Sequence, residues 1–563
     1  MSFKSSNYLG SRLILAGAAL LIVASCSSTG ELARRPSESP GFSTTVTQAG
    51  SPLTRYRLDH DTQGVMETIS NIVNVSIVSN DPNVYKAEYE AGFIQGKLQG
   101  QKIIAARDNS WDNAYLTNPK HSYPQRIPPS AAELALAQQT LALNLQYTLD
   151  YVQRAKDTGT GKKMRRLLYR LVGIHHGATQ DQPAVLAFTD AWSPTLSTAD
   201  LQIGYQTPTL SFMDVYFVNA FQDLLDVLPD HPPQAARGRP SKCSAFVKKT
   251  PDDILIAHNS WSGFLSQTQA MSLWVNGDFM TFNPIAPGYL GSSSDFGYNN
   301  HGILFNETTH HATYTEPKVE ALWMFWRATL AEQFSHSLDE FFKYIALEPS
   351  GTYMNGYMVI DAKTGDIGLV EMSYKSFVFY KANGKGGYTV TTQPVGLDKR
   401  YDRQMVASDY LIGINYPASY QIRRDLQALD TRPARKRQLL ARIGAVNDLE
   451  SAKQLITYTA PHNPLSIFGR WDLGYGETPT PKTIPDGSLD AKVGSATMAR
   501  RMMRLQGMLD VESPVQGFWM KFGTPYVKGT PFIWSQSQWK EWKLRDVPDR
   551  LDGDYTLLNT YVR

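Results

Sequence analysis

The sequence predicts an α+β fold, in which a mainly helical N-terminal segment precedes an αββα sandwich. Residues 60–230 read mainly as helices, and strand-like runs separated by turns follow from residue 243 onward. Between these parts lies a stretch rich in Pro, Gly and Arg, residues 229–242. Proline lacks an N–H donor and fixes φ, so this stretch cannot be helix interior or central strand. It marks the clearest boundary in the chain.

Composition is ordinary for a globular protein. Of the 563 residues, 42% are hydrophobic and 11% aromatic, which is enough to bury a large core. The formal net charge is +3, so nothing indicates a nucleic-acid partner or a strongly acidic one.

The first residues resemble a bacterial secretion signal for a lipoprotein. Lys4 and Arg12 precede an apolar run, residues 13–23, that is too short to span a bilayer. The run ends in Val-Ala-Ser-Cys, which resembles a lipobox with Cys26 as the lipidated residue. Several acyl chains on Cys26 would anchor the protein stably, and the pattern predicts the outer membrane, facing the periplasm. The alternative is a plain secretory signal in which Cys26 is incidental.

The predicted organisation follows from this. Residues 1–25 form the signal peptide and residues 26–60 a flexible tether, rich in Ser, Thr, Gly and Pro up to about residue 51. Residues 61–242 form the helical N-terminal chain and residues 243–563 the sandwich. Helices are predicted at residues 84–101, 131–152, 164–172, 212–227 and 434–456, and residues 316–342 are predicted to form either a helical pair or one long helix. Strands are predicted at residues 243–248, 254–258, 271–275, 302–307, 356–361 and 368–372. Glycines at every fourth position, Gly92, Gly96 and Gly100, indicate a close backbone approach on one helix face.

Cys243 is the most informative residue. The chain has only two cysteines, and lipidation of Cys26 would leave Cys243 alone at the start of a strand, just after the Pro-rich loop. An unpaired cysteine in an exported protein indicates a reactive thiol. A buried, inert cysteine is the alternative and is the commoner fate of free Cys.

Five stretches carry a resemblance to a known family. They are Cys243-Ser244-Ala245, residues 257–261 (Ala-His-Asn-Ser-Trp), residues 306–309 (Asn-Glu-Thr-Thr), residues 350–361 and residues 423–425. In this order they resemble the phospholipase B-like family of N-terminal-nucleophile (Ntn) hydrolases. More distantly, the chain is similar to the penicillin V acylase and isopenicillin-N acyltransferase group.

The resemblance implies a precursor that cuts its own Lys242–Cys243 bond. The α-amine freed on Cys243 would then take the proton of the thiol, so one residue supplies nucleophile and base. It further implies Asn355 as the oxyanion donor and His258 as a residue that orients the nucleophile or a water. Without the resemblance, Asn355 reads as a turn former and His258 as a hydrogen-bonded strand residue.

Four further residues are candidates for substrate binding. Trp261 could wall an acyl pocket and Thr308 could hydrogen-bond near the nucleophile, although each also suits an ordinary core or strand. Arg423 and Arg424 could hold an anionic head group, or form a solvated surface pair. Adjacent histidines at 175–176 and 310–311 lack other ligands at metal spacing, so neither a metal nor a cofactor is predicted.

The resulting functional expectation is a cysteine hydrolase that cleaves an acyl ester or amide of a lipid-like substrate. One alternative is a linear-amide hydrolase or acyltransferase acting on N-acylated peptides or β-lactam-like molecules. Another is a catalytically silent envelope lipoprotein that keeps the fold as a scaffold. The sequence predicts no particular oligomeric state.

Overall fold

The fold comes from a computed structural model that describes most of the chain. The described residues are 40–46, 52–59, 61–69, 72–116, 128–228, 243–263, 269–275, 278–383, 385–430, 433–459, 467–468, 486–504, 515–522, 532–537, 540, 545–551 and 554–560. Cys26 and Lys242, the predicted lipidation and cleavage positions, lie outside this range.

Strands and helices occur in separate runs along the chain, as is typical of an α+β fold. The strands are β1 Gly41–Val46, β2 Pro52–Arg57, β3 Thr62–Ile69, β4 Ile72–Ser79, β5 Ser244–Lys249, β6 Ile254–Gly263, β7 Gln269–Val275, β8 Phe279–Ile285, β9 Phe296–Asn299, β10 Ile303–Thr309, β11 Asn355–Asp361, β12 Asp366–Met372, β13 Phe377–Ala382, β14 Tyr388–Gln393, β15 Val406–Ala407, β16 Tyr410–Gly413, β17 Asp486–Ser495, β18 Val515–Phe522, β19 Phe532–Ile533, β20 Arg550–Leu551 and β21 Thr556–Thr560. The helices are α1 Val84–Leu116, α2 Ala131–Arg154, α3 Gly159–Thr179, α4 Phe212–Val227, α5 Met324–Phe334, α6 Leu338–Ile345, α7 Tyr420–Leu426, α8 Pro433–Leu440, α9 Leu449–Ile456 and α10 Ala496–Arg504.

Two large sheets organise the fold. The first has twelve strands in the order β1-β2-β3-β4-β7-β8-β9-β10-β11-β12-β13-β14. The second has seven, in the order β15-β16-β5-β6-β17-β18-β21. Neighbouring strands are antiparallel except for β4 and β7, which pair in parallel from Asn74↔Ala270 to Ser79↔Val275. The N-terminal segment therefore contributes strands to the same sheet as the segment after residue 243.

The two sheets contact each other through apolar rings and one buried amide. Phe518 of β18 lies 4.8 Å from Phe282 of β8 and 5.1 Å from Phe296 of β9, measured between ring centroids. Asn306 of β10 donates through Nδ2 to two carbonyl oxygens of the other sheet, Phe246 O at 3.2 Å and Ala257 O at 3.0 Å. These bonds satisfy backbone groups and fix how β10 sits over β5 and β6.

Helices flank both sheets. Helix α1 packs against β3, β4 and β7, and α5 packs against β8 and β9. Helix α9 packs against β6 and β17 of the second sheet, and α10 against β18. Within the described part of the chain, no helix is both long enough and apolar enough to cross a membrane.

The predicted glycine face of α1 packs against α3. A Cβ at Gly92 would lie 2.2 Å from the Arg170 carbonyl oxygen, and one at Gly96 would lie 2.2 Å from Ile174 O. Both distances are far below van der Waals contact with rigid backbone, so only glycine fits at these two positions. Gly100 differs, since its nearest neighbour would be 3.7 Å away.

Two predicted elements differ from the structure, and an alternative left open by the sequence is decided. The predicted tether, residues 26–60, contains β1 and β2, whose strand pairing gives order to a Thr-rich stretch that composition alone describes as flexible. Of the two alternatives for residues 316–342, the structure has the helical pair, α5 and α6, because Ser337 caps the second helix by accepting a hydrogen bond from Glu340 N. The helix predicted over residues 434–456 is likewise broken, and Asp448 caps its second half, α9.

Candidate active site

Cys243 lies immediately before β5 and is 6% exposed. Its backbone N–H donates to the side-chain Oδ1 of Asn415 at 2.8 Å. The next amide, Ser244 N–H, donates to Oδ1 of Asn259 on β6 at 3.0 Å. Two asparagine side chains therefore hold the start of β5 and fix where the thiol points.

Asn415 and Arg435 form the support beneath Cys243. Asn415 has φ +66°, and its Nδ2 donates to Thr309 O at 2.7 Å at the end of β10. Arg435, fully buried on α8, donates from its guanidinium to Cys243 O, Ile414 O and Asn415 Oδ1. A planar guanidinium with donors in a fixed fork can hold several carbonyl oxygens at once. The backbone on both sides of the Cys243 Cα is thus fixed by residues far away in sequence.

His258 and Asp295 approach the thiol. The Cys243 sulfur, a ring nitrogen of His258 and a carboxylate oxygen of Asp295 all lie within 4.8 Å of one another. His258 sits on β6 opposite Ala245 and is fully buried. Burial, and then the Lys492 charge, hold the pKa of His258 well below its usual value, so the ring is neutral.

Asp295 and Glu307 form a pair of adjacent carboxyls. Glu307 N–H donates to Asp295 O at 3.0 Å, and the two side chains interact. Burial raises the pKa of Asp295 to about 6, and burial and the neighbouring Asp295 raise that of Glu307 well above its usual range. Two carboxyls this close do not both ionise readily, so Glu307 carries the proton and Asp295 is the group that titrates.

Lys492 supplies the positive charge that compensates the buried carboxylate of Asp490. It pairs with His258 across β17 and β6, and its Nζ donates to Asp490 Oδ1 and Ser260 Oγ at 2.5 and 2.8 Å. Both members of the Lys492–Asp490 ion pair are fully buried. Removing one member would leave an uncompensated charge beside His258.

The thiol, imidazole and carboxylate are also a donor set that could hold a divalent metal. Cys, His and Asp are all zinc ligands, and their ligand atoms lie close enough to share one ion. The sequence predicts no metal, and that stays a prediction.

Asn355, the predicted oxyanion donor, begins β11 opposite Thr309 of β10. It is fully buried, and neither its Oδ1 nor its Nδ2 has a hydrogen-bond partner of good geometry in the described part of the chain. The Tyr357 side chain is a polar neighbour. Asn355 is joined to Cys243 through Thr309, whose carbonyl accepts from Asn415.

The remaining predicted residues fall at different distances from this centre. Trp261 continues β6, but its side chain lies outside the described part. Thr308 is buried on β10, and its side chain lies 2.8 Å from where a Cβ on Gly413 would be. Arg423 pairs with Asp402 at 3.4 Å and stacks on Tyr416, with its guanidinium 4.3 Å from the ring centroid. Arg424 is more exposed and pairs with Asp398 at 2.9 Å.

A cavity with about 100 Å³ of free space adjoins the site. Asp295 and Tyr353 line it, and Asp295 is also one of the groups within 4.8 Å of the Cys243 sulfur. The rest of its wall comes from α1, α4, α5, the segment after β8 and Tyr357 of β11. A molecule in this cavity would therefore lie beside Asp295, which also approaches the thiol.

Comparison with known proteins places the chain in a family. The family model described as Phospholipase B matches residues 65–557. This chain belongs to the phospholipase B family. Among its relatives, "Phospholipase-B 81" of Drysdalia coronoides is 24% identical over 420 residues, 63% of this chain and 66% of that protein. "Phospholipase B-like 1" of Bos taurus is 24% identical over 371 residues, 56% of this chain and 64% of that protein. "Phospholipase B" of Crotalus adamanteus is 24% identical over 403 residues, 63% of this chain and 66% of that protein. The chain thus spans slightly less than two thirds of the length of these relatives.

In this phospholipase B family member, sequence reasoning missed four of the residues around Cys243. They are Asp295, Asn415, Arg435 and Lys492. Asn415 and Asp295 both have a positive φ, which Asn and Asp tolerate better than most other residues, but the sequence does not show which Asn or Asp adopts it. Arg435 and Lys492 carried no signal, because a basic residue in a helical or strand-like stretch ordinarily faces solvent.

Proposed function

We propose that this chain is a self-processing cysteine hydrolase that cleaves an acyl ester or amide bond of a lipid-like substrate. The observation that carries the proposal is the Cys243 N–H bond to Asn415 Oδ1, with His258 and Asp295 beside the thiol. The names of the relatives support a phospholipid as substrate. The two sheets in contact, flanked by helices, support the four-layer αββα arrangement of Ntn hydrolases.

Maturation begins with the Cys243 thiol attacking the carbonyl carbon of Lys242. The C–N bond breaks, a thioester forms and the amide nitrogen leaves as an α-amine. Water then hydrolyses the thioester, giving the Lys242 carboxylate and restoring the thiol. His258, with a ring nitrogen within 4.8 Å of the sulfur, is the proposed relay that takes the thiol proton in the first step and passes it to the departing amide nitrogen.

Turnover uses the amine that maturation creates. The amine takes the thiol proton, and the resulting ammonium keeps its hydrogen bond to Asn415 Oδ1. The thiolate attacks the substrate carbonyl, the alcohol or amine leaves with a proton, and water hydrolyses the thioester to release the acid. A charge-assisted bond to Asn415 stabilises the protonated amine, which makes the thiolate easier to form.

Asn355 is the proposed oxyanion donor. Its Nδ2 is buried and has no acceptor of good geometry in the described residues, so it is available for an oxygen that becomes negative in the transition state. Loss of such a donor typically lowers kcat by about 10²–10³-fold.

Cys26 is the proposed membrane anchor. The apolar run before it and its lipobox-like setting support diacylation and export, which would place the enzyme at the outer membrane near lipid substrates. Metabolic labelling with a palmitate analogue tests this, since Cys26→Ala should remove both the label and membrane association.

Intact mass and N-terminal sequencing of the purified protein test self-processing. We expect two chains, the second starting at Cys243, and one uncut chain for Cys243→Ala. Lys242→Ala is the matched control and should still be cut, because the reaction uses the backbone carbonyl. A single chain in the wild type, even after mild acid, would leave the silent scaffold as the better reading.

A substrate pair separates esterase from amidase chemistry. A lysophospholipid and an N-acyl amino acid with the same acyl chain can be compared at equal concentration. Faster release of fatty acid from the ester supports the phospholipase activity, and faster release from the amide supports the linear-amide alternative. Cys243→Ala should abolish either reaction.

A further inference from the structure

The cavity beside Asp295 has an unusual wall. Three carboxyl-bearing residues line it, Asp223, Asp295 and Glu332, and none of its described lining residues is Lys, Arg or His. Five aromatic residues complete the wall, namely Phe221, Tyr289, Phe325, Tyr353 and Tyr357. Aromatic faces and carboxylates are the two groups that attract an ammonium ion.

The three carboxyls are not equivalent. Asp223 is already satisfied, since it accepts from Met324 N–H and Phe325 N–H at the start of α5 and from Thr352 Oγ1. Asp295 interacts with Glu307 and approaches Cys243. Glu332 has the fewest partners.

Glu332 is 2% exposed and accepts one hydrogen bond, from Ser292 N–H to Oε2 at 2.8 Å. Its Oε1 accepts none from the described residues, and no cation pairs with it there. A buried carboxyl facing a cavity without a positive partner is costly unless a ligand supplies the charge or a proton does. Burial, and then Asp295, raise the pKa of Glu332 to about 8, so the proton fills this role when the cavity is empty.

We propose that this cavity binds the ammonium group of the substrate, with Glu332 as the charge partner and the aromatic residues as walls. The inference rests on the proposed function and narrows it to lipids with a cationic head group. Free space of about 100 Å³ suits one small ammonium group, because a water needs about 10–15 Å³ on the same measure. Because Asp295 lines the cavity and also lies within 4.8 Å of the Cys243 sulfur, a head group bound in the cavity would hold the acyl ester near the thiol.

Binding can be tested without catalysis. Calorimetry of the full chain carrying Cys243→Ala would use choline and its neutral isostere, 3,3-dimethyl-1-butanol. We expect choline to bind at least tenfold more tightly, and Glu332→Gln to remove most of this difference. Gln keeps the acceptor for Ser292 N–H, so the fold should persist. Glu90→Gln, a buried glutamate on α1 outside the cavity wall, is the matched control and should keep the preference.

The second part of the test measures hydrolysis of two lipids. With phosphatidylcholine and phosphatidylglycerol of identical acyl chains, Glu332→Gln should lower kcat/KM about tenfold for the first and leave the second unchanged. Equal loss on both lipids, or equal binding of choline and its isostere to the Glu332 protein, would overturn the inference. If lipids are cleaved but choline does not bind, the cavity assignment fails alone. If choline binds in a Glu332-dependent way but no lipid is cleaved, the proposed function fails and the ammonium site stands.

Discussion

The backbone N–H of Cys243 donates to Oδ1 of Asn415, 172 residues further along the chain, over 2.8 Å. The same oxygen accepts from Arg435 at 2.9 Å, and Asn415 Nδ2 donates to Thr309 O. One side chain therefore ties the start of β5 to the end of β10. The proposed nucleophile owes its position to this link.

Replacing Asn415 tests the link directly. Asn415→Ala removes the acceptor for the Cys243 amide, so the start of β5 and the thiol lose their fixed position. We expect cleavage to slow by about 10²-fold, the usual cost of a 1 Å misplacement. The rate is measured by gel densitometry after synthesis.

Asn144→Ala is the matched control for Asn415. Asn144 is also buried and bridges segments, donating to Val319 O and Ala321 O, but it lies on α2 away from Cys243. It should lower stability without slowing cleavage. Equal slowing in both variants would mean that cleavage responds to general loss of stability.

Arg435→Met should destabilise the fold and impair the site together. The substitution removes one donor from each of three buried oxygens, Cys243 O, Ile414 O and Asn415 Oδ1, of which the last keeps its bond from the Cys243 N–H. We expect a loss of about 3 kcal/mol of unfolding free energy, since each unsatisfied group costs about 1–3 kcal/mol and the losses overlap. Chemical unfolding in the Cys243→Ala background measures this for a single uncut chain. Arg435→Lys keeps one donor and the charge, so it should lose less, and equal losses in the two variants would contradict the argument.

The Asp295–Glu307 pair makes stability depend on pH. Because the folded chain raises the pKa of both carboxyls, it binds more protons than the unfolded chain above about pH 4, and the pair's contribution to stability falls as pH rises. Glu307→Gln places an uncharged side chain at this position at every pH. It should raise the melting temperature relative to wild type at pH 8, by roughly 2 °C, and the gain should disappear near pH 4.

The matched control for Glu307 is Glu320→Gln, at an exposed position before α5. It should change the melting temperature equally at both pH values. A pH-independent gain for Glu307→Gln would show that the buried pair does not titrate as described.

The α1–α3 contact offers a test with an internal control. Gly92→Ala would place a methyl group 2.2 Å from the Arg170 carbonyl oxygen and force two backbones apart. We expect a loss of about 2–3 kcal/mol or more, because backbone cannot yield as a side chain can. Gly100→Ala meets nothing nearer than 3.7 Å and should stabilise α1 by up to about 1 kcal/mol. Similar effects from both substitutions, measured by chemical unfolding, would contradict the packing argument.

Much of the secondary structure follows from local patterns. The sequence predicts helix 212–227, which the structure reproduces as α4, Phe212–Val227, because Ser211 and Asp214 form a capping box before an apolar run. The predicted strands 243–248 and 356–361 match β5, Ser244–Lys249, and β11, Asn355–Asp361, to within one residue at each end. Helix caps and apolar runs are local features, so they can be read from the sequence.

The candidate site is less predictable because its contacts are not local. Cys243, His258 and Asn355 stand out by residue type and setting, and the resemblance reinforces them. Asp295 follows a run of serines and gives no sign that it faces a thiol, since its approach depends on how the loop before β9 lies over β6. Lys492 is selected by the strand register that sets it opposite His258. The strand register and the contact between the two sheets decide the positions of Asp295 and Lys492, and neither is a local feature of the sequence.

The parallel pairing of β4 with β7 has a consequence for the proposed two-chain form. With the Lys242–Cys243 bond broken, one sheet consists of strands from two separate polypeptides. Folding of the precursor is a unimolecular event, whereas recovery of the cut form after unfolding requires two different molecules to find each other. Thermal unfolding of this two-chain form should therefore be irreversible at low protein concentration. The lifetime of its folded state should then be set by its rate of unfolding. Self-cleavage would therefore make unfolding a one-way process, since two separate chains would have to recover a fold that a single chain reached.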